Sequence, residues 1–135
     1  MSAKISEDMA TSEFDRLVDA LYLDLHDLDD KESKDFEGHK RTIVKAISNG
    51  SLVINDEGFP IYTPVRSDDK EPITFYEMTG SNLIDMDKGK ENENIKKLFS
   101  VMQSITKKPT GCFAKMKKNP DLKVCIAIAT LFLAG

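Results

Sequence analysis

The chain has 135 residues, the size of one ordinary domain. Apolar residues make up 40 % and charged residues 31 %, a balance typical of proteins that fold around one core. The two cysteines, Cys112 and Cys125, are too few for a disulfide framework, and neither histidine lies at metal-ligand spacing from them. We therefore expect no disulfide, no metal site and no cofactor.

The sequence carries no sign of export or of membrane insertion. Its N-terminal stretch lacks the basic start and apolar centre of a signal peptide. The longest apolar stretch, residues 124–134, is much shorter than the roughly 20 residues that a bilayer span needs. These features predict a protein of a reduced cytoplasm.

Charge is distributed unevenly along the chain, whose net charge is −4. Residues 1–37 contain twelve acidic and four basic side chains, a net −8, whereas residues 95–135 contain eight lysines and one acid, a net +7. Such asymmetry is typical either of solvated faces that attract one another or of a basic docking surface. Because only three arginines are present and no aromatic stripe accompanies the lysines, we expect no nucleic-acid binding.

The first third of the chain predicts a helical hairpin over residues 11–49. Apolar residues recur at three- and four-residue steps over residues 11–28, and Thr11 or Ser12 is expected to cap this first helix. A second helix is predicted over residues 34–49 after a short polar loop. Residues 1–10 show no periodicity and are expected to form a flexible end.

The apolar period then changes to two, which predicts an antiparallel meander over residues 51–77. Pro60 and Pro64 favour an edge position for the second strand. Helices return over residues 80–134, and they are expected at 82–87, at 93–106, around Phe113 and Met116, and at 122–134. The expected fold is a mostly helical α+β single domain, residues 11–135, with a small antiparallel β-meander between N-terminal and C-terminal helices.

No residue pattern indicates catalysis. His26 and His39 lie on polar or intermediate helix faces, with no nucleophile at recognisable spacing. The paired acids lie in solvated loops, where nothing would shift their pKa, and the glycines form no phosphate-binding loop. The sequence therefore predicts a binding protein with no catalytic residues.

One run of motifs has a familiar order. The strand Ile73-Thr74-Phe75-Tyr76-Glu77-Met78-Thr79-Gly80 is followed by Leu83-x-x-Met86-Asp87, by a helix with Leu98-Phe99-Ser100-Val101-Met102, and by a last helix that closes on Leu131-Phe132-Leu133. This order resembles the small tail assembly chaperones of long-tailed bacteriophages, particularly the contractile-tailed, Mu-like phages. The resemblance covers about residues 50–133.

The resemblance implies a non-enzymatic protein of the infected host cytoplasm. Such chaperones bind and solubilise the tape measure protein, promote assembly of the tail tube protein around it, and are absent from the mature virion. The alternative is a structural or adaptor component of the tail, at the tube end or baseplate, which would remain in the virion. A regulatory or anti-host interaction protein is a third reading.

The expected client surface lies in the last two helices, where apolar and basic residues coincide. A client of amphipathic helices needs apolar grooves, and basic residues at their edge would steer an acidic stretch. The apolar anchors are predicted to be Phe113, Met116, Leu131 and Phe132, and the steering residues Lys107, Lys108, Lys115, Lys117 and Lys118. We also expect self-association, because the chain's ends are oppositely charged and because Tyr22, Leu23 and the apolar last helix present more apolar surface than one small domain is expected to bury.

Overall fold

The structure, a computed structural model, describes residues 5–23, 25–26, 28–80 and 94–134. Its elements are α1 (Glu7–Ala20), α2 (Asp30–Ser48), β1 (Leu52–Ile54), β2 (Pro60–Tyr62), β3 (Ile73–Thr74), α3 (Asn94–Thr106), α4 (Thr110–Ala114), a π-helical turn (Lys118–Leu122) and α5 (Lys123–Ala134). The fold is therefore a mostly helical α+β domain with a small antiparallel sheet, as predicted. The helix expected at residues 82–87 lies outside the described residues.

Helix α1 begins and ends earlier than the sequence pattern predicts. The Ser6 side chain caps it by accepting from the Met9 backbone N–H, and Ala10 is fully buried. Ile5 is tied to the end of α2, because its N–H donates to the Ser48 carbonyl at 3.0 Å and its carbonyl accepts from the Ser48 hydroxyl at 2.9 Å. The prediction of a flexible end is therefore wrong for residues 5–10.

Helix α1 ends in a turn of left-handed backbone. Tyr22 has φ of 55°, and its N–H donates to the Asp19 carbonyl while the Leu23 N–H donates to the Val18 carbonyl. This is the Schellman pattern, in which glycine usually takes the left-handed position. Because tyrosine stands there instead of glycine, the sequence gives no stop signal, and the predicted helix runs eight residues too far.

Helix α2 begins before the predicted position. Asp29 accepts from the Glu32 N–H at 2.7 Å and Glu32 accepts from the Asp29 N–H at 3.5 Å, which is a capping box. The acidic residues expected to form a loop are thus the first turn of the helix, where negative charge is favoured by the helix dipole. Chain reversal at the other end uses Gly50, with φ of 90°.

The three strands form an antiparallel sheet in the order β1-β2-β3, so β2 is central. Leu52 pairs with Tyr62 and Ile54 with Pro60 across β1 and β2, and Tyr62 pairs with Ile73 across β2 and β3. The predicted edge position of Pro60 is therefore wrong. Pro60 is the first residue of the central strand, where its missing N–H is tolerated and its carbonyl accepts from the Phe75 N–H at 2.9 Å.

The turn between β1 and β2 docks on the end of α1. Asn55 organises it by accepting from the Phe59 N–H at 2.9 Å through its side chain, and its carbonyl accepts from the Arg16 guanidinium at 2.6 Å. Gly58 has φ of 91°, and a β-carbon added to it would stand 2.7 Å from the Ala20 β-carbon. Only glycine satisfies both the backbone conformation and this close approach.

Helix α5 is covered by its own chain, packing against α2 and α3. Its side chains at Val124, Cys125, Ala127, Ile128, Ala129, Leu131 and Phe132 are all buried. Phe132 lies between the Phe59 and Phe75 rings, with centroids 6.5 and 6.2 Å away. A second chain is therefore not needed to bury this helix, whereas Tyr22, the other apolar surface expected to favour self-association, is 88 % exposed. No helix within the described residues is both long enough and apolar enough to span a bilayer.

Candidate functional site

The principal buried polar cluster surrounds Asp121, whose side chain is fully buried. One carboxylate oxygen, Oδ1, accepts from the Tyr62 hydroxyl and the Val65 N–H, both at 2.7 Å. The other, Oδ2, accepts from the Arg66 N–H at 3.0 Å, the Ser67 N–H at 2.7 Å and the Ser67 hydroxyl at 2.6 Å. We call these five residues the Asp121 network.

The Asp121 network joins two parts of the chain that are distant in sequence. Residues 65–67 follow the central strand, and their successive N–H groups converge on a carboxylate at the start of the last helix. The Ser67 hydroxyl also accepts from the Lys117 N–H at 3.0 Å, and the Arg66 guanidinium donates to the Asn119 carbonyl at 2.6 Å. The cluster therefore fastens the loop after β2 to the segment before α5.

The electrostatics of this network keep the carboxylate charged. Burial by itself raises the pKa of Asp121, but hydrogen bonds from Ser67, Val65, Tyr62 and Arg66 outweigh it and lower the pKa to about 2. Burial, together with the bond to Asp121, raises the pKa of the Tyr62 hydroxyl well above its usual range. A carboxylate that is fully occupied by protein donors and inaccessible to solvent has no capacity for proton transfer to a substrate. We therefore assign it a structural role.

Both cysteine thiols lie in surroundings that disfavour the thiolate. Cys125 is fully buried in the core, among the apolar residues that surround it in sequence, and burial raises the pKa of its thiol. Cys112 is half-buried on α4, where burial likewise raises its thiol pKa. Over the described ranges, no three histidine, cysteine, aspartate or glutamate side chains are grouped so that they could hold a metal ion.

The predicted client anchors belong to the core. Phe113 and Leu131 are at most 2 % exposed, and Met116 and Phe132 are less than a tenth exposed. Phe113 therefore offers no surface to a client, and Met116 lines only a small groove of about 110 Å³. Leu131 and Phe132 reach two shallow grooves. Their helical spacing was read correctly as an apolar face, but that face packs inward.

The predicted steering lysines are at the surface and partly engaged. Lys107 lies over the Tyr76 ring, with Nζ 4.7 Å from the ring centroid, and Lys108 pairs with Glu71 at 3.8 Å. Lys115, Lys117 and Lys118 are exposed. The lysines therefore form a basic surface, but the apolar residues expected to accompany them lie beneath it.

A different surface combines exposed apolar side chains with a groove. Leu23, Leu25 and Leu28, between α1 and α2, lie near the end of α5, and the space between them is a groove of about 190 Å³. We call it the leucine groove. It is lined by Leu23, Leu25, Leu28, Glu32, Asp35, Phe36, His39, Thr130 and Leu131. The sequence pattern predicts Leu25 and Leu28 on the apolar stripe of the first helix, and only Leu23 as surplus apolar surface.

A second groove, of about 330 Å³, lies at the same connection, next to the leucine groove. Tyr22 and Leu133 line it together with Met78 and Phe132. Tyr22 is 88 % exposed, so its ring projects into solvent next to the left-handed turn. The two grooves place apolar side chains of the α1–α2 connection next to the end of α5.

No protein-family model, curated protein or solved structure matches the chain in comparisons with known proteins.

Proposed function

We propose that this chain is a non-catalytic tail assembly chaperone of a long-tailed bacteriophage. It acts in the host cytoplasm, where it binds helical segments of the tape measure protein and keeps them soluble until the tail tube protein assembles around them. The proposal combines the motif order of residues 73–133 with the chemistry of the accessible surface. The observation that carries it is the leucine groove.

The leucine groove has the features that binding of an amphipathic helix requires. Leu25 at its mouth is 40 % exposed, whereas Leu131 at its floor is 2 % exposed, so the apolar surface is continuous from solvent to core. Helix-in-groove recognition uses such surfaces, in which a few apolar side chains of the partner enter and the rest of the helix lies across the opening. The buried Asp121 network and the high thiol pKa values provide no competing catalytic site.

Co-expression with the tape measure protein tests this function directly. The tape measure protein should be insoluble when expressed alone and should appear in the soluble fraction, bound to this chain, when the two are expressed together. Failure of this chain to increase the soluble fraction would contradict the chaperone proposal.

Mass spectrometry of purified virions separates the chaperone from an adaptor of the tail. A chaperone should be absent from the finished particle while abundant in infected cells. A stoichiometric amount in the virion would instead establish a structural component at the tube end or baseplate.

Self-association remains part of the proposal because of the charge distribution and the exposed Tyr22 ring. Opposite net charges at the two ends of the sequence favour head-to-tail contacts between copies, which either close into rings or continue as open spirals. Light scattering at low and high salt tests this, because contacts between exposed charges weaken as salt screens them.

A further inference from the structure

We infer that the leucine groove is a docking site for a cationic amphipathic helix, one whose apolar stripe is flanked by lysine or arginine. This is the reverse of the sequence-based expectation, in which a basic surface of this chain meets an acidic client. The inference deepens the proposed function. Only the source of the helix, the tape measure protein, depends on that function.

The size of the groove indicates side-chain anchors and not a small-molecule ligand. Its volume of about 190 Å³ is below the roughly 300–1,000 Å³ typical of small-molecule sites. Its apolar lining comes from Leu23, Leu25 and Leu28 on one side and from Phe36 and Leu131 on the other. A groove of this kind accepts a few aliphatic side chains from a helix that lies across its mouth.

The charge around the groove determines which charge the bound helix should carry. Glu32 and Asp35 line it, and Asp29 and Asp30 precede them at the exposed start of α2. The Asp29 and Glu32 carboxylates are engaged in the capping box at the exposed start of α2. Among the described residues, no lysine or arginine lines the groove, although Lys31 and Lys34 lie nearby on α2. An approaching helix with basic flanks is therefore attracted and one with acidic flanks is repelled.

Backbone strain beside the groove points to the same surface. Tyr22 immediately precedes the groove-lining Leu23 and holds a left-handed conformation that glycine adopts more easily. Its ring is 88 % exposed, so no contact within the described residues compensates for this strain by burying it. Exposed tyrosines are enriched among residues that dominate binding energies, and strained positions concentrate at binding sites. We assign Tyr22 to the edge of the docking surface.

A second copy of this chain is a poorer occupant. Its basic surface, around Lys115, Lys117 and Lys118, would match the acidic rim in charge. The apolar residues of that region, Phe113 and Met116, are however buried in its own core. It would bring charge without the apolar side chains that the groove needs.

Fluorescence anisotropy with two synthetic helices tests the inference on the intact chain. Each labelled peptide has about 18 residues, five helical turns, with leucine at one face. One peptide carries lysine at the flanking positions, and the other carries glutamate at the same positions. The lysine peptide should bind at least about tenfold more tightly, and the preference should shrink as salt is added.

Variants of the groove locate the binding. Leu25→Asp should weaken binding of the lysine peptide by about tenfold or more, because an anchor contact is lost and a charge lies at the mouth. Asp35→Lys should reduce the preference between the two peptides. The matched controls are Val53→Asp on β1, where the side chain is 43 % exposed compared with 40 % for Leu25, and Asp56→Lys in the β1–β2 turn. Circular dichroism verifies that each variant is folded.

Three outcomes would overturn the inference. Equal affinity for the two peptides would refute the role of charge, and an equal loss in Leu25→Asp and Val53→Asp would refute the location. The third outcome is that neither peptide binds and that sedimentation shows an oligomer which Leu25→Asp converts to monomers. In that case the occupant of the groove would be a second copy of this chain. If the lysine peptide binds as expected but the tape measure protein is not solubilised, the groove stands and the proposed function fails.

Discussion

Replacing Asp121 with asparagine should be among the most destabilising conservative changes in this chain. The substitution keeps the shape of the side chain but removes its charge and turns one acceptor into an –NH₂ donor. The amide is accommodated best at the Oδ1 position, because the Tyr62 hydroxyl there is able to rotate and accept. At the Oδ2 position, the amide would face the N–H groups of both Arg66 and Ser67, which cannot accept.

The expected loss of stability is worked out for the better orientation, with the amide nitrogen at the Oδ1 position. The Val65 N–H loses its acceptor, and a buried donor without a partner costs about 1–3 kcal/mol. The Arg66 and Ser67 donors now meet a neutral oxygen, and each bond weakens by about 1 kcal/mol because hydrogen bonds to charged groups are the stronger class. We expect a total loss of about 4–6 kcal/mol, a large share of the stability of a domain this size.

Urea unfolding followed by circular dichroism measures this loss. Tyr62→Phe removes one of the five hydrogen bonds and should cost about 1.5–3 kcal/mol. Asp56→Asn, in the exposed β1–β2 turn, is the matched control and should stay within about 0.5 kcal/mol of the parent. An Asp121→Asn variant as stable as that control would refute the assignment of Asp121 as the clamp between the loop after β2 and α5.

Acid unfolding gives an independent measure of the same network. The folded-state pKa of Asp121, about 2, lies below its ordinary value of 3.8, so the folded state holds the proton less tightly than the unfolded chain. The stabilisation is therefore fully present above about pH 4 and is lost as pH falls toward 2. It amounts to about 2 kcal/mol. Asp121→Asn should abolish this part of the pH dependence of the unfolding free energy, and an unchanged slope between pH 4 and pH 2 would argue against the lowered pKa.

The remaining predictions concern backbone conformation. Gly58→Ala should destabilise the chain by about 2 kcal/mol or more, since the residue has positive φ and the new methyl group would meet Ala20, whereas Gly38→Ala, within α2 with open space around it, should stabilise by up to about 1 kcal/mol. Shifts of the urea midpoint in the same direction for both variants would show that backbone conformation does not decide the outcome. Tyr22→Gly should stabilise by about 0.5–1 kcal/mol by relieving the left-handed strain, while weakening binding of the lysine peptide. A stabilised variant that binds the peptide as tightly as the parent would remove Tyr22 from the docking surface.

Local periodicity was sufficient to predict the type of most elements. The change from helical spacing to alternation predicted the sheet between two helical regions, and α3 was expected at 93–106 and lies at Asn94–Thr106. The apolar surroundings of Cys125 likewise predicted its burial. These predictions hold because helix and strand each repeat at a fixed interval, which depends on neighbours in sequence alone.

The boundaries of α1 were not predictable in the same way. Leu25 and Leu28 continue the helical spacing of the preceding apolar residues, although the helix has already ended at Ala20. They are apolar because they line a groove against α5, not because they lie on a helix stripe. A pattern of apolar residues indicates that side chains are buried, but it does not indicate the backbone conformation. The apolar spacing of a connection that packs on a distant helix can therefore look like that of a helix.

The role of each apolar or charged residue was decided by tertiary structure. The sequence determined that α5 is apolar on nearly every side, while packing against α2 and α3 determined that its own chain covers it and that Phe132 belongs to the core. Asp121 looked like an ordinary first-turn acid, yet the loop after β2 folds over it and delivers its donors. Its partners are more than 50 positions away in sequence, beyond the reach of any local pattern. Burial and hydrogen bonding depend on which distant segments meet, and that depends on the chain as a whole.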